Sequence, residues 1–188
     1  MRVVAGERKG MPLKALPGNT TRPTTDKVKE SIFNMIGPFF DGGIAVDLFA
    51  GSGGLGIEAL SRGAEKTIFI EKDRKAYSIL LENIKKCRYE EEVETYCNDA
   101  TRAVKALCKR DITIDLLFLD PPYHKIDYYN LAGLLAEQGK LSKNAIIMCE
   151  HSNEVTLPES YGPFKLARQE EYGTIIISIY RNVEEEGE

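Results

Sequence analysis

The densest chemistry in this chain lies in Asp120-Pro121-Pro122-Tyr123. These residues directly follow Ile114-Asp115-Leu116-Leu117-Phe118-Leu119, an apolar run of strand length and strand composition. Two successive prolines cannot continue a hydrogen-bonded ladder, so the chain must leave the sheet at Asp120. A carboxylate, two stiff carbonyls and an aromatic ring are then displayed at the carboxyl end of a strand, where open α/β sheets bind their ligands. One acceptor side chain beside one ring suits an amino group on a flat base.

A second cluster, Asp47-Leu48-Phe49-Ala50-Gly51-Ser52-Gly53-Gly54-Leu55-Gly56, joins another strand to the helix behind it. Its glycines let the backbone approach a ligand closely, and the helix N-terminus offers N–H groups with no partner in the helix. Glu71 ends the next strand, 20 residues after Gly51, where a carboxylate accepts from both hydroxyls of a ribose. Asn98-Asp99-Ala100 ends the third strand, where an acid either meets an adenine amino group or caps the following helix. Taken alone, Gly51-x-Gly53-x-x-Gly56 with Glu71 also fits the dinucleotide fingerprint of an NAD oxidoreductase. Three features point away from NAD. Asp47 sets a negative charge before the glycines, suited to an ammonium group and not to a pyrophosphate. The alternating elements leave no separate substrate domain, and Asp-Pro-Pro-Tyr has no evident task in hydride transfer.

The elements that must hold these clusters alternate. Short strands at 2–5 and 12–16 form a hairpin-like arm around Glu7-Arg8-Lys9-Gly10. A helix follows Arg22-Pro23-Thr24-Thr25-Asp26, with Thr24 or Thr25 as cap, an apolar stripe of Val28, Ile32, Met35 and Ile36, and a stop at Gly37-Pro38. Strands are expected at 44–49, 67–71, 93–97, 114–119 and 145–150, with helices at 55–62, 73–86, 100–109 and 128–138. Two final strands, 164–172 and 174–180, meet at Gly173. Such alternation implies a mostly parallel sheet covered by helices on both faces, with one antiparallel member near an edge. The domain reading is a basic arm over 1–22, an α/β body over 23–181 and an acidic tail over 182–188.

Composition narrows the class. The chain has 188 residues, 43% hydrophobic and 29% charged, ordinary for a globular domain. No run approaches the ~18 apolar residues of a membrane span, and the N-terminus lacks a secretory signal's apolar stretch. Cys87, Cys97, Cys108 and Cys149 show neither CxxC pairing nor metal-ligand spacing, which fits reduced thiols in a cytoplasmic protein without a metal site. The net charge is −4, yet residues 1–22 hold Arg2, Arg8, Lys9, Lys14 and Arg22 against Glu7 alone. That leaves +4 on the arm and −8 on the remainder, a distribution that can hold a polyanion locally.

The two clusters together resemble class I S-adenosylmethionine-dependent methyltransferases that act on exocyclic amines of bases. More narrowly, the chain resembles the RsmD family of bacterial 16S rRNA guanine-N2 methyltransferases. The likeness rests on Met-Arg-Val-Val-Ala-Gly with Lys9-Gly10, on residues 22–30, on Asp47 to Gly53 with Leu60-Ser61-Arg62-Gly63-Ala64, on Phe118 to Tyr123, and on Tyr172-Gly173. It departs in detail, with Lys27 where arginine is common and an unusually acidic tail.

The resemblance implies a Rossmann-like, seven-stranded sheet, S-adenosylmethionine as methyl donor, and 16S rRNA or a small ribosomal subunit assembly intermediate as partner, with the enzyme monomeric. Carried onto this chain, it implies a donor site of Asp47, Phe49, Ala50, Gly51, Ser52, Gly53, Glu71, Asp99 and Ala100, and a catalytic corner of Asp120, Pro121, Pro122 and Tyr123. Asp120 and the Pro121 carbonyl would accept the two N–H groups of the amine, and Tyr123 would stack on the base for ~1–3 kcal/mol. That roughly offsets base extrusion, so affinity must come from backbone contacts through Arg8, Lys9, Lys14 and Arg22. Arg22 equally suits the donor's carboxylate or a helix-entry ion pair with an acid, His124 is not required as a base, His151 reads as structural or at the pocket rim, and Tyr128 and Tyr129 as helix packing. Other readings are a DNA or other RNA amino-methyltransferase, the NAD oxidoreductase, and a non-catalytic RNA-binding assembly factor.

Overall fold

A computed structural model describes residues 1–17, 25–122 and 124–183. Arg22, Pro23, Thr24, Tyr123 and the acids Glu184, Glu185 and Glu186 therefore lie outside the described residues. Five strands run parallel: β1 (Ile44–Asp47), β2 (Lys66–Ile70), β3 (Val93–Tyr96), β4 (Ile114–Leu119) and β5 (Leu141–Ser152). Beyond β5 the sheet continues antiparallel through β8 (Ile175–Asn182), β7 (Phe164–Tyr172) and β6 (Ser160–Tyr161). The order across the sheet is β3-β2-β1-β4-β5-β8-β7-β6. From β1 the chain steps outward one way through β2 and β3, then returns to the other side for β4 and β5. Loops leaving β1 and β4 diverge at that reversal, and a crevice opens at the carboxyl ends of the two strands.

The apolar runs are buried on both faces, as a covered parallel sheet requires. Leu116, Phe118 and Met148 face α1 (Asp26–Ile36) and α2 (Gly54–Ser61) through Ile32, Phe33 and Leu55. Leu117 and Ile147 point the other way, to α4 (Ala100–Cys108) and α5 (Asn130–Glu137). The helix α3 (Arg74–Lys86) packs Leu80 and Ile84 beside Ile57 and Leu60 of α2. Capping residues fix where helices begin: Thr25 Oγ1 accepts from Val28 N, and Asp73 Oδ1 from Ala76 N. Among the described residues no helix is long and apolar enough to cross a membrane.

Three departures from the sequence reading stand out. The sheet has eight strands among the described residues, not seven, and two run against the rest. The additional strand, β6, has only two residues joined to β7 by a turn at Gly162 (φ +57°). Two residues are too few to show alternation, and β6 is held by Tyr161, whose ring lies 4.8 Å from that of Tyr180. The segment expected as one helix from residue 128 begins instead as a 3₁₀ turn, Ile126–Tyr129, before α5.

Among the described residues the strands expected at 2–5 and 12–16 reduce to one bridge, Arg2 with Pro12, within a hydrogen-bonded hairpin. Val3 N donates to Met11 O, and Leu13 N to Met1 O. The hairpin is packed on the body: Val3 and Leu13 are buried with Ile57, Leu60 and Leu80. Its anchor is Glu58 of α2, fully buried. One carboxylate oxygen takes Val4 N at 2.8 Å and Lys29 Nζ at 3.3 Å; the other takes Ala5 N at 3.0 Å and Arg62 Nε at 2.8 Å. Lys29 Nζ also donates to Arg2 O at 2.6 Å. Gly6 closes the same junction at φ +87°, where an added Cβ would sit 1.9 Å from Ser61 O.

Deleting the shared acceptor strands two buried cations and two backbone donors. Glu58→Ala should therefore destabilise the fold by about 3–5 kcal/mol. Urea unfolding of the purified variant measures this; a loss under ~1 kcal/mol would show that the hairpin is held by its apolar contacts alone.

Candidate active site

A cavity of about 560 Å³ opens at the carboxyl ends of β1, β2, β4 and β5. Its walls include Asp47, Gly51, Glu71, Asp99, Asp120 and Glu150, so the glycine turn and the proline corner share one space. The N-terminal hairpin segment closes one side through Met1, Ala15 and Leu16. Asn83 of α3 fastens that wall to the turn: its Nδ2 donates to Ser52 O and Lys14 O, and its Oδ1 accepts from Lys14 N.

Asp47 ends β1 almost wholly buried. Burial pushes its carboxyl up to about 7, against the pull of the Phe49 and Gly56 backbone N–H groups, and Glu71 pushes it further. Gly56 is the third residue of α2, so Asp47 serves the helix as a capping acceptor from outside it. Its Oδ1 has no hydrogen-bond partner among the described residues. The turn after it runs through Gly51 at φ +56° and Gly53 at φ +95°. A Cβ at Gly53 would lie 2.6 Å from Leu80 Cδ1, and one at Gly56 2.3 Å from the Phe69 ring, whereas at Gly51 it would meet nothing within 4 Å. Gly53 and Gly56 are thus required by packing, and Gly51 leaves room on the cavity side. An unsatisfied buried acceptor beside that room fits a ligand with a cationic group and an adenosine-sized body.

Glu71 stands beside the turn with both oxygens already oriented: Oε1 accepts from Gly51 N at 2.8 Å and Oε2 from Asp73 N at 2.7 Å. Each oxygen keeps a second lone pair for a hydroxyl. Asp99 is more fully used. Its Oδ2 caps α4 through Thr101 N, and its Oδ1 accepts from the Tyr128 hydroxyl at 2.6 Å. The Tyr128 bond, with the two helix N–H groups, holds the Asp99 carboxyl below the usual range despite partial burial. Asp99 thus caps the helix and anchors the loop while lining the cavity, as does Ala100, buried as the first residue of α4. Phe49 meets the Tyr128 ring edge-on at 4.9 Å, so Tyr128, read from sequence as helix packing, forms part of the cavity wall.

The proline corner leaves β4 at Asp120. Pro121 is buried and Pro122 exposed, and the Pro122 carbonyl accepts from Lys125 N. Strand register pairs Leu119 with Cys149; one residue further sets Asp120 beside Glu150. Burial, then the charges of Glu150 and Asp47, raise the Asp120 carboxyl well above its ordinary range. Glu150 was not singled out from the sequence as a site residue, although an acid ending the apolar run Ile146-Ile147-Met148-Cys149 is a readable signal. Lys29 also lines the cavity, and its place inside an amphipathic helix gave no hint of that.

The proposed RNA-contact residues are spread along the hairpin and differ in their surroundings. Arg8 Nε donates to Cys87 O at 2.7 Å, its guanidinium covers the Tyr89 ring at 4.8 Å, and it pairs with Glu7. Lys14 pairs with Glu82 at 3.3 Å on an exposed surface, a contact worth little. Lys9 is exposed. His124 is exposed at the cavity edge, while His151 is buried against Ser178 Oγ at 2.7 Å, away from that cavity.

Comparison with known proteins matches the same span. The family model described as conserved hypothetical protein 95 covers residues 1–181. A putative rRNA methyltransferase, YlbH of Bacillus subtilis, is 50% identical over 181 residues, 96% of this chain and 98% of the relative. Ribosomal RNA small subunit methyltransferase D of Haemophilus influenzae is 34% identical, covering 97% and 94%. The solved structure of the putative methyltransferase yhhF from Escherichia coli superposes with a TM-score of 0.82 at 31% identity, over 97% of each chain. A whole-chain match of this extent, on a fold whose glycine turn and proline corner meet in one cavity, makes this chain a member of the RsmD family.

Proposed function

We propose that this protein transfers a methyl group from S-adenosylmethionine to the N2 amine of a guanine in 16S rRNA, acting as a monomer on an assembling small ribosomal subunit. One observation carries the reading: Asp120, at a corner stiffened by two prolines, opens onto the same cavity as Asp47, Gly51 and Glu71. The names of the relatives support rRNA as the substrate class.

The donor supplies a methyl already made electrophilic by its sulfonium, so the chain's residues have to bind, orient and exclude water. Glu71 takes the ribose hydroxyls, and Gly51 lets the backbone lie against the ligand. Asp47 gives a buried negative charge to the cationic end. Asn98 and the Ala100 backbone hold the adenine edge, with Phe49 and Tyr128 as its apolar wall. Asp120 accepts one N–H of the amine and the Pro121 carbonyl the other, which turns the nitrogen lone pair toward the methyl. Tyr123 is assigned the stacking face. Rate then comes from positioning and from acceptors aimed at positive charge developing on nitrogen. No comparable task exists for the corner in hydride transfer, and the buried Asp47 acceptor opposes a pyrophosphate.

The direct test is methylation of purified small subunits and of naked rRNA with labelled donor, followed by mapping of the modified base. Label on a guanine N2 is expected; label confined to another base, or none, overturns the assignment. Asp120→Ala should lower methyl transfer by on the order of 10²-fold or more while S-adenosylhomocysteine affinity stays within a few-fold. Lost calorimetric binding in that variant would place Asp120 in the donor site instead.

Asp47 predicts an opposition of stability and binding. Its carboxyl titrates at about 7 in the folded chain and near ~4 unfolded. Between those values the unfolded chain binds fewer protons, so the contribution to stability falls as pH rises and stays low above 7. Asp47→Asn should raise the melting temperature at pH 8 by roughly 2–4 °C or more, change it little at pH 4, and weaken S-adenosylhomocysteine at least ~10-fold. Equal melting temperatures at pH 8 would contradict the buried charge. For RNA, Lys9→Glu with Lys14→Glu should lower affinity by about 10-fold or more at 0.1 M salt and flatten its salt dependence. Arg8 is left intact because its contacts support the fold, and an unchanged salt slope would remove the hairpin from the RNA interface.

A further inference from the structure

Asp120 does not face the cavity alone. Parallel register continues from Leu119 and Cys149 to set Glu150 beside it, and both acids line the same cavity. Two buried carboxylates side by side repel, so the pair lowers its energy by keeping one proton between them. Glu150 is almost fully buried. From β1, Asp47 adds a third acid facing Asp120. Glu71 lies beyond Asp47 at the end of β2, and His124, in the loop after the corner, is exposed at the edge. The cation that reaches this space from α1, Lys29, is already spent on Glu58 Oε1 and Arg2 O. The other lysine on the walls, Lys72, is exposed at the start of α3.

We propose that Glu150 is a positioning residue for methyl transfer: it shares one proton with Asp120, fixes which oxygen of Asp120 faces the amine, and sets the pH at which the corner accepts an amine N–H. The inference rests on the function proposed above. In the reaction the new N–C bond forms as the donor's C–S bond breaks, its electron pair remaining on sulfur, and nitrogen is left with one proton too many. The pair carries a single shared proton and so has room for a second, which Asp120 receives and later returns to water. Glu150 touches neither substrate nor donor in this scheme and acts through Asp120.

Glu150→Gln is the decisive variant. A glutamine keeps the shape and donates to Asp120, but removes the like charge. The alkaline limb of kcat/KM against pH, where the wild-type pair gives up its shared proton, should be lost or displaced by about one pH unit or more in the variant, with S-adenosylhomocysteine affinity within a few-fold. A limb that stays in place, whether or not activity falls, overturns the proposal, because loss of packing lowers rate at every pH without moving the limb. Carboxyl carbon NMR of ¹³C-labelled protein gives a readout that needs no RNA. Asp120 and Glu150 should titrate as a coupled pair in the wild type, and Asp120 alone at lower pH in Glu150→Gln. Independent titrations refute the shared proton even if the enzyme methylates rRNA. Coupled titrations in a protein that methylates no rRNA would instead uphold the shared proton while the substrate assignment fails.

Discussion

The site is governed by an imbalance of buried charge. Asp47, Asp120 and Glu150 lie toward the carboxyl ends of neighbouring strands inside one cavity, and burying negative charges together is costly. The chain could have answered with an internal cation. Lys29 is within the cavity wall, yet its ammonium is bound by Glu58 and the Arg2 carbonyl. The acids therefore keep protons, with Asp47 pushed up to about 7 and Asp120 well above its usual range. Such a pocket favours a ligand that brings its own positive charge, and it disfavours the phosphates for which glycine-rich turns are often built. The family to which the chain belongs fits that preference, since a sulfonium and an ammonium group are what the proposed donor carries.

The second dependence is mechanical. Glu58 gathers Lys29 and Arg62 from the body and Val4 and Ala5 from the hairpin around one carboxylate. Because Met1, Ala15 and Leu16 wall the cavity, the hairpin's seat is also the site's seat. This changes the meaning of the basic N-terminal residues. Their charge reads in the sequence as an arm reaching for a polyanion, but Arg8 is stacked on Tyr89 and bonded to Cys87 O. Formal charge counts cannot distinguish a guanidinium spent on packing from one facing solvent.

Much of the architecture was legible because apolar runs and helix signals are local. The runs before Asp47 and Asp120, the alternation of helix and strand, and the caps at Thr25 and Asp73 all follow from nearby residues. The glycine turn was legible in kind, though the reasons differ within it: Gly53 and Gly56 answer to Leu80 and Phe69, distant in sequence. What could not be read depends on register or on contacts across the sheet. Two-residue β6 exists through Tyr161 against Tyr180. Glu150 joins the corner because β5 runs parallel to β4 in one particular register, and the Tyr128 hydroxyl reaches Asp99 across 29 residues of sequence.

That Tyr128 contact carries a consequence for how the two halves of the site work together. Beyond the Pro122–Lys125 hydrogen bond, Tyr128 bonds Asp99 and meets the Phe49 ring. Phe49 belongs to the glycine turn, and Asp99 starts α4. The loop that bears the corner is thus fastened to the floor of the proposed donor site by a hydroxyl and a ring edge. Parallel pairing sets Asp47 beside the end of β4, and Tyr128 ties the chain after Asp120 to the glycine turn through Phe49 and to α4 through Asp99.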